Sequence, residues 1–209
     1  MFPPEILAAY VAAALVVVIA PGPDNILAIS RGLSQGWAAA AASSVGAGLG
    51  IMVHSVAATL GLALVLQTYP LAFWVVKLVG AAYLLWLGWR AIRSHDLISF
   101  APAQRQPLRR VFTTGLLSNV LNPKPGLFVV AFVPQFVAVE RGSVQVQMLV
   151  YGAIFAVLTA VTFTVLGASS SRLAGWLARR PGALRLANLG AGFTFIAAGL
   201  SILALERRR

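Results

Sequence analysis

Two proline-broken polar segments, Pro21-Gly22-Pro23-Asp24-Asn25 and Asn122-Pro123-Lys124-Pro125-Gly126, interrupt apolar stretches of this chain about a hundred residues apart. Proline has no N–H and frees the carbonyl four residues earlier, here those of Val17 and Ile19 at the first break and Asn119 and Leu121 at the second. In hydrocarbon an unsatisfied carbonyl costs several kcal/mol, so irregular backbone there must be buried in protein or line a watered cavity. Each break also carries one charge, Asp24 and Lys124, of opposite sign. Interrupted hydrophobic segments at matching places in two halves of a membrane chain point to a transport site. The plainer alternative is two kinks satisfied by neighbouring helices, with a static salt bridge or a wetted Asp24.

The apolar background makes the membrane the solvent. Apolar residues form 59% of the chain and charged residues only 10%, too few to cover a soluble domain of 209 residues. Apolar runs cover 6–20, 45–66, 71–87, 127–139, 146–168 and 184–205. Those near twenty residues match the hydrocarbon thickness, and the two short ones are completed across a break. The pattern predicts an all-α polytopic membrane protein of six transmembrane helices, with helices one and four broken, as a single membrane transport domain over 1–209. A polar stretch at 94–110, with Pro102 and Pro107, reads as a cytoplasmic loop between two three-helix repeats, 1–93 and 111–209. Three spans per half is an odd number, so the second half enters from the opposite side as an inverted repeat. Gly46-Ala47 and Leu60-Gly61 recur as Gly152-Ala153 and Leu166-Gly167 at an offset of 106. Gly80-Ala81 recurs as Gly190-Ala191 at 110, and the breaks correspond at about 101.

The net charge of +11 would suggest nucleic acid in a soluble protein, but its distribution excludes that reading. With six spans, one side collects Arg31, Arg90, Arg93, Arg105, Arg109, Arg110, Arg172, Arg179, Arg180 and Arg185. The other holds only Arg141 in its loops, so the arginine-rich side is expected to be cytoplasmic and both termini periplasmic. The tail Arg207-Arg208-Arg209 runs against this bias and can complement the negative end of the last helix. No cysteine is present, which excludes disulfides, thiolate metal sites and cysteine nucleophiles. The first residues include Glu5 but no Lys or Arg, so the first apolar stretch is expected to be a transmembrane helix and not a cleaved leader.

The substrate-binding candidates are Pro21, Gly22, Pro23, Asp24, Asn25, Asn122, Pro123 and Lys124. Asp24 and Lys124 each cost roughly 2.5–3.5 kcal/mol at mid-membrane, which a pairing across the repeat axis would partly offset. A zwitterionic solute needs a cation or helix N-terminus for its carboxylate and an acceptor for its ammonium. Asp24 is also a proton-coupling candidate, and so is His54. His54 shares a four-residue stripe with Ala42, Gly46, Gly50 and Ala58, so it should point into the bundle. There it can serve protons or solute, or simply hold a backbone carbonyl. Lys77, on the face of Gly80, Ala81, Leu84 and Gly88, is a secondary candidate that can equally snorkel to the interface. An enzyme is not expected. His54 and His95 lack metal-ligand spacing, Gly167-Ala168-Ser169-Ser170-Ser171 is no nucleophile elbow, and no phosphate loop occurs. No cofactor and no metal is implied, so active transport would run on an ion gradient or on the gradient of the solute.

These motifs resemble the LysE/RhtB family of amino-acid exporters. The matching pieces are Pro21-Gly22-Pro23-Asp24, Ser30-Arg31-Gly32, the Gly46/Gly50 helix, residues 77–88 (KLVGAAYLLWLG), Asn122-Pro123-Lys124 and Phe132-Val133-Pro134-Gln135-Phe136. They run nearly end to end in the order expected of that family. The resemblance implies export of amino acids or close derivatives across a bacterial inner membrane by exchange with protons. Pro125 departs from the small residue more usual after Asn-Pro-Lys and should sharpen the bend. The leading expectation is a secondary exporter of neutral or hydrophobic amino acids. The rivals are a non-transporting assembly or signalling subunit, with dry, tightly packed breaks, and a transporter of another small solute or ion. The partners implied are the solute, protons and the bilayer, without nucleic acid. The glycine faces can pack within one bundle or form a homodimer.

Overall fold

The computed structural model describes residues 2–20, 22–68, 70–93, 103–170, 172, 176 and 181–204. Pro21, His95, most of the polar loop, Arg179 and Arg180, the arginine tail and the side chain of Lys77 lie outside them. Helix is the regular structure throughout the described residues. In chain order the helices are α1 (Pro4–Ile19), α2 (Pro23–Gln35), α3 (Trp37–Thr68), α4 (Pro70–Arg93), α5 (Leu108–Leu121), α6 (Pro123–Ala131), α7 (Val144–Ala168) and α8 (Pro181–Ala204).

Local chemistry sets the ends. Proline opens α1, α2, α4, α6 and α8, where a missing N–H costs nothing because the first-turn donors have no intrahelical partner. Gly36 ends α2 at φ 80°, a left-handed conformation that glycine adopts without Cβ strain, and the chain turns straight into α3. Ser143 caps α7 by accepting from the Val146 N–H at 3.3 Å. A 3-10 turn over Val133–Phe136 extends α6, so the fourth segment closes at Phe136.

Both proline segments break their helices. α1 and α2 meet at 63°, and α5 meets α6 with its 3-10 extension at 54°. By length and composition, α3 and α7 can each cross a membrane, and the candidates among the described residues number four if each bent pair is one span. α4 and α8, 24 residues each, are about 36 Å long at 1.5 Å per residue.

Small residues let the helices approach closely. A Cβ on Gly46 would collide with the Phe112 carbonyl, and one on Gly115 with that of Ser43, so α3 and α5 touch backbone to backbone. α3 packs against α7 in the same way, with Gly48 beside the Ala156 carbonyl and Gly152 beside Ser55. The α4–α8 contact is reciprocal. A Cβ on Gly88 would stand 2.7 Å from the Gly192 oxygen, and one on Gly192 would stand 2.8 Å from the Gly88 oxygen. Ile196 and Ile92 flank the two glycines in the same relation, at an offset of 104, while Gly199 meets Ala81 and Leu85. Descending α4 thus matches ascending α8, and the pair is antiparallel about a local two-fold.

Candidate functional site

The two breaks are built alike. Gly22 precedes Pro23 at the start of α2, and Asn122 precedes Pro123 at the start of α6, so Asp24 and Lys124 each occupy the second position of a half-helix. Their correspondence is 100 residues, one fewer than the repeat reading gives, because the helices restart at Pro23 and Pro123. Each start is stitched by an asparagine. The Gly22 N–H donates to Asn25 Oδ1 at 2.8 Å, and Asn25 Nδ2 donates to the Ala20 carbonyl at 3.0 Å. Asn122 Oδ1 accepts from the Lys124 N–H at 3.0 Å, an N-cap on α6.

The charged ends cross between the breaks. Asp24, 6% exposed, reaches from α2 into the last turn of α5. Its Oδ1 accepts from Ser118 Oγ at 2.8 Å, and its Oδ2 accepts from Asn119 Nδ2 at 2.7 Å and from Asn122 Nδ2 at 3.0 Å. In the other direction, Lys124 Nζ donates to the Ala20 carbonyl at the end of α1, at 2.9 Å. Among the described residues the two charges form no ion pair within 4.0 Å. The static salt bridge is therefore replaced by neutral donors around the acid and the carbonyl of Ala20, at the end of α1, under the ammonium. Gly22 makes room for this, since a Cβ there would stand 2.9 Å from Lys124 Nζ.

His54 resolves as the holder of a backbone carbonyl. Its Nε2 lies 3.1 Å from the oxygen of Asn119, one of the two carbonyls that the second break frees. The small-residue stripe of α3 faces α5 and α6 throughout. Gly46 lies against Phe112, Gly50 against the Asn119 side chain, and the His54 ring against Gly126. Asn119 is the hub, with its amide on Asp24, its carbonyl on His54 and its Oδ1 buried beside Gly50 without a hydrogen-bond partner.

Two further clusters hold the breaks in place. Tyr10 of α1, fully buried, donates its hydroxyl to the Tyr151 carbonyl of α7 at 2.7 Å. Phe128, Phe132 and Phe155 extend this aromatic packing across α6 and α7. At the far end of α2, the buried Arg31 donates to the Gln104 carbonyl at 2.7 Å and to Gln106 Oε1 at 3.0 Å. Gln35 and Gln106 exchange two more bonds, at 2.8 and 2.9 Å, strapping residues 103–107 onto α2.

The structure gathers Gly22, Pro23, Asp24, Asn25, Asn122, Pro123, Lys124 and His54 at one place. Ser118 and Asn119, two of the donors to Asp24, escaped the sequence reading. Their signal was present, because Ser118, Asn119 and Asn122 follow an i, i+1, i+4 pattern that puts polar groups on one helix face. Among the described residues no group of three or more His, Asp or Glu side chains gathers as metal ligands.

Comparison with known proteins finds relatives along nearly the whole chain. A homoserine/homoserine lactone efflux protein of Salmonella typhi is 31% identical over 202 residues, covering 95% of this chain and 96% of that one. A leucine efflux protein of Enterobacter sp. is 27% identical over 191 residues, covering 90% of each chain. A membrane protein of Pseudomonas aeruginosa is 30% identical, covering 92% of each. No solved structure matches the chain. The family model for LysE type translocators matches residues 15–205, and the chain belongs to that family.

Proposed function

We propose that the protein is a secondary exporter of amino acids or close derivatives, in which Asp24 couples solute exit to proton entry at a site between the two broken helices. The observation that carries this reading is the crossed arrangement of the breaks. The acid of the first is held by the second, and the ammonium of the second is held by the first. A group held across two half-helices changes its partners when those halves move. Its protonation can therefore be tied to which side of the membrane the site faces. Lys124 and the start of α6 supply positive charge for a carboxylate, and Asp24 supplies acceptors for an ammonium. Relatives named for leucine and for homoserine or homoserine lactone efflux support an amino-acid-like cargo.

The six-span inverted repeat supplies the frame for this mechanism. It takes α4 and α8 as the third and sixth spans, related by the reciprocal contact of Gly88 and Gly192. The arginine distribution supports a cytoplasmic arginine-rich face, with both termini outside an inner-membrane bundle. A cavity adjoining Pro123 and Gly126 favours transport over an assembly subunit, for which the breaks would be packed without space beside them. The test is counterflow in proteoliposomes preloaded with one amino acid and offered the same label outside. Across a panel of neutral amino acids and homoserine, at least one should show accelerated exchange. Absence of exchange for every member overturns the reading.

A further inference from the structure

An open cavity of about 460 Å³ lies between α3 and α6, on the side of the breaks toward the C-terminal end of α3. Ala57, Ala58 and Gly61 form one wall, Leu127 and Val130 the other, and the polar side chain lining it is His54. Small-molecule sites have about this size, roughly 300–1,000 Å³, with apolar walls and a few polar groups that fix orientation. The imidazole has two different edges. Nε2 faces the Asn119 carbonyl, which only accepts, so that nitrogen carries a proton. The Nδ1 edge lies beside Gly126, where an added Cβ would stand 3.0 Å away, and among the described residues no hydrogen bond engages Nδ1.

We propose that this cavity is the side-chain subsite of the exporter, admitting uncharged aliphatic or hydroxylated side chains, with Ala57, Ala58 and Gly61 setting the length it accepts. The assignment rests on the amino-acid export reading above. Among the described residues no acidic side chain lines the cavity and His54 is its one titratable group, so a cationic side chain would enter without a counter-ion, at several kcal/mol. A neutral aliphatic group gains from the walls, and a hydroxyl, which can donate or accept, finds one polar partner at the Nδ1 edge. The cavity also adjoins the acid through a single residue. Asn119 bonds His54 with its carbonyl and Asp24 with its amide, so side-chain recognition and the carboxylate share one support.

The test uses Gly61→Leu, because a Cβ at Gly61 meets no atom of the described residues within 4 Å. In counterflow, Gly61→Leu should lower the leucine-to-alanine rate ratio by at least about tenfold, the discrimination that one or two methylenes give in an apolar pocket. An unchanged ratio overturns the proposal. A second measurement does not depend on transport. The chain has no cysteine, so Ala57→Cys places a lone thiol in the cavity, and leucine but not lysine should slow its alkylation severalfold. Equal rates with and without leucine overturn the proposal, and so does slowing by added lipid alone, which would make the cavity a lipid groove. Protection by leucine without counterflow in any variant would leave the subsite standing and remove the export reading.

Discussion

Asp24 shows how a buried charge is accommodated when its opposite number is close but not paired with it. Three neutral donors from one turn of α5 and its cap converge on the two oxygens, and Asn119 is the most deeply buried of them at 1% exposure. Asn119→Leu would remove a donor to the acid while keeping the volume filled and the backbone carbonyl that holds His54. It should destabilise the protein by about 1–3 kcal/mol, the cost of leaving buried polar groups unsatisfied, read as a lower Tm in detergent. An unchanged Tm would remove Asn119 from the hub. At this scale the sequence exposed the expensive residues and hid the inexpensive ones. A charge or a proline in a hydrocarbon-length segment stands out, so Asp24, Lys124, Asn122 and Pro123 were legible. Ser118 and Asn119 are ordinary polar residues near a helix end, and only the register of α5 against α2 shows their purpose. The pairing of Asp24 with Lys124 was misjudged for a related reason. Opposite charges in matched motifs suggest each other, whereas geometry gave each a neutral partner on the other half.

At the scale of helices, glycine positions decide which surfaces meet. Gly46 of α3 lies directly on the Phe112 carbonyl of α5, and backbone cannot yield as a flexible side-chain end can. Gly46→Val should therefore force α3 from α5, costing about 1–3 kcal/mol as overpacking does, and lowering both Tm and exchange. Gly182→Ala, at a helical position with no atom of the described residues within 4 Å, should leave Tm unchanged or slightly raised. Equal effects of the two substitutions would contradict the packing described. Much of this scale was readable, since four-residue spacing placed His54, Gly46 and Gly50 on one inward face and the structure keeps them there. Helix ends were read less well. The apolar run at 45–66 begins well inside α3, which starts at Trp37 because Gly36 turns the chain, and α2 runs on to Gln35. The strap of residues 103–107 over α2 left no signal either, because bonds from glutamine and arginine to backbone carbonyls follow no local period.

For the whole molecule, the arginine bias and the repeat together predict opposite exposure of two loops. In this cysteine-free chain, Glu140→Cys, in the loop before α7, should react with a membrane-impermeant maleimide in intact cells. Arg105→Cys, in the strap over α2, should react only after the membrane is opened. Labelling of both from the same side would break the inverted arrangement. The antiparallel α4–α8 pair and the reciprocal contact of Gly88 and Gly192 were only hinted at by loose offsets in the sequence. Reciprocity is a property of two surfaces in contact and not of either helix alone.

The central claim is that Asp24 joins solute movement to proton movement, and Asp24→Asn addresses it with little structural disturbance. An asparagine can keep its oxygen toward Asn119 and Asn122 while its NH₂ donates to Ser118, whose hydroxyl can turn to accept. Proteoliposomes loaded with an exported amino acid and a trapped pH dye, then diluted, report the coupling directly. With the native protein, solute leaving should bring protons in and acidify the lumen, and Asp24→Asn should abolish that acidification while the folded protein remains. Solute efflux without acidification in the native protein, or undiminished acidification in Asp24→Asn, would contradict the account.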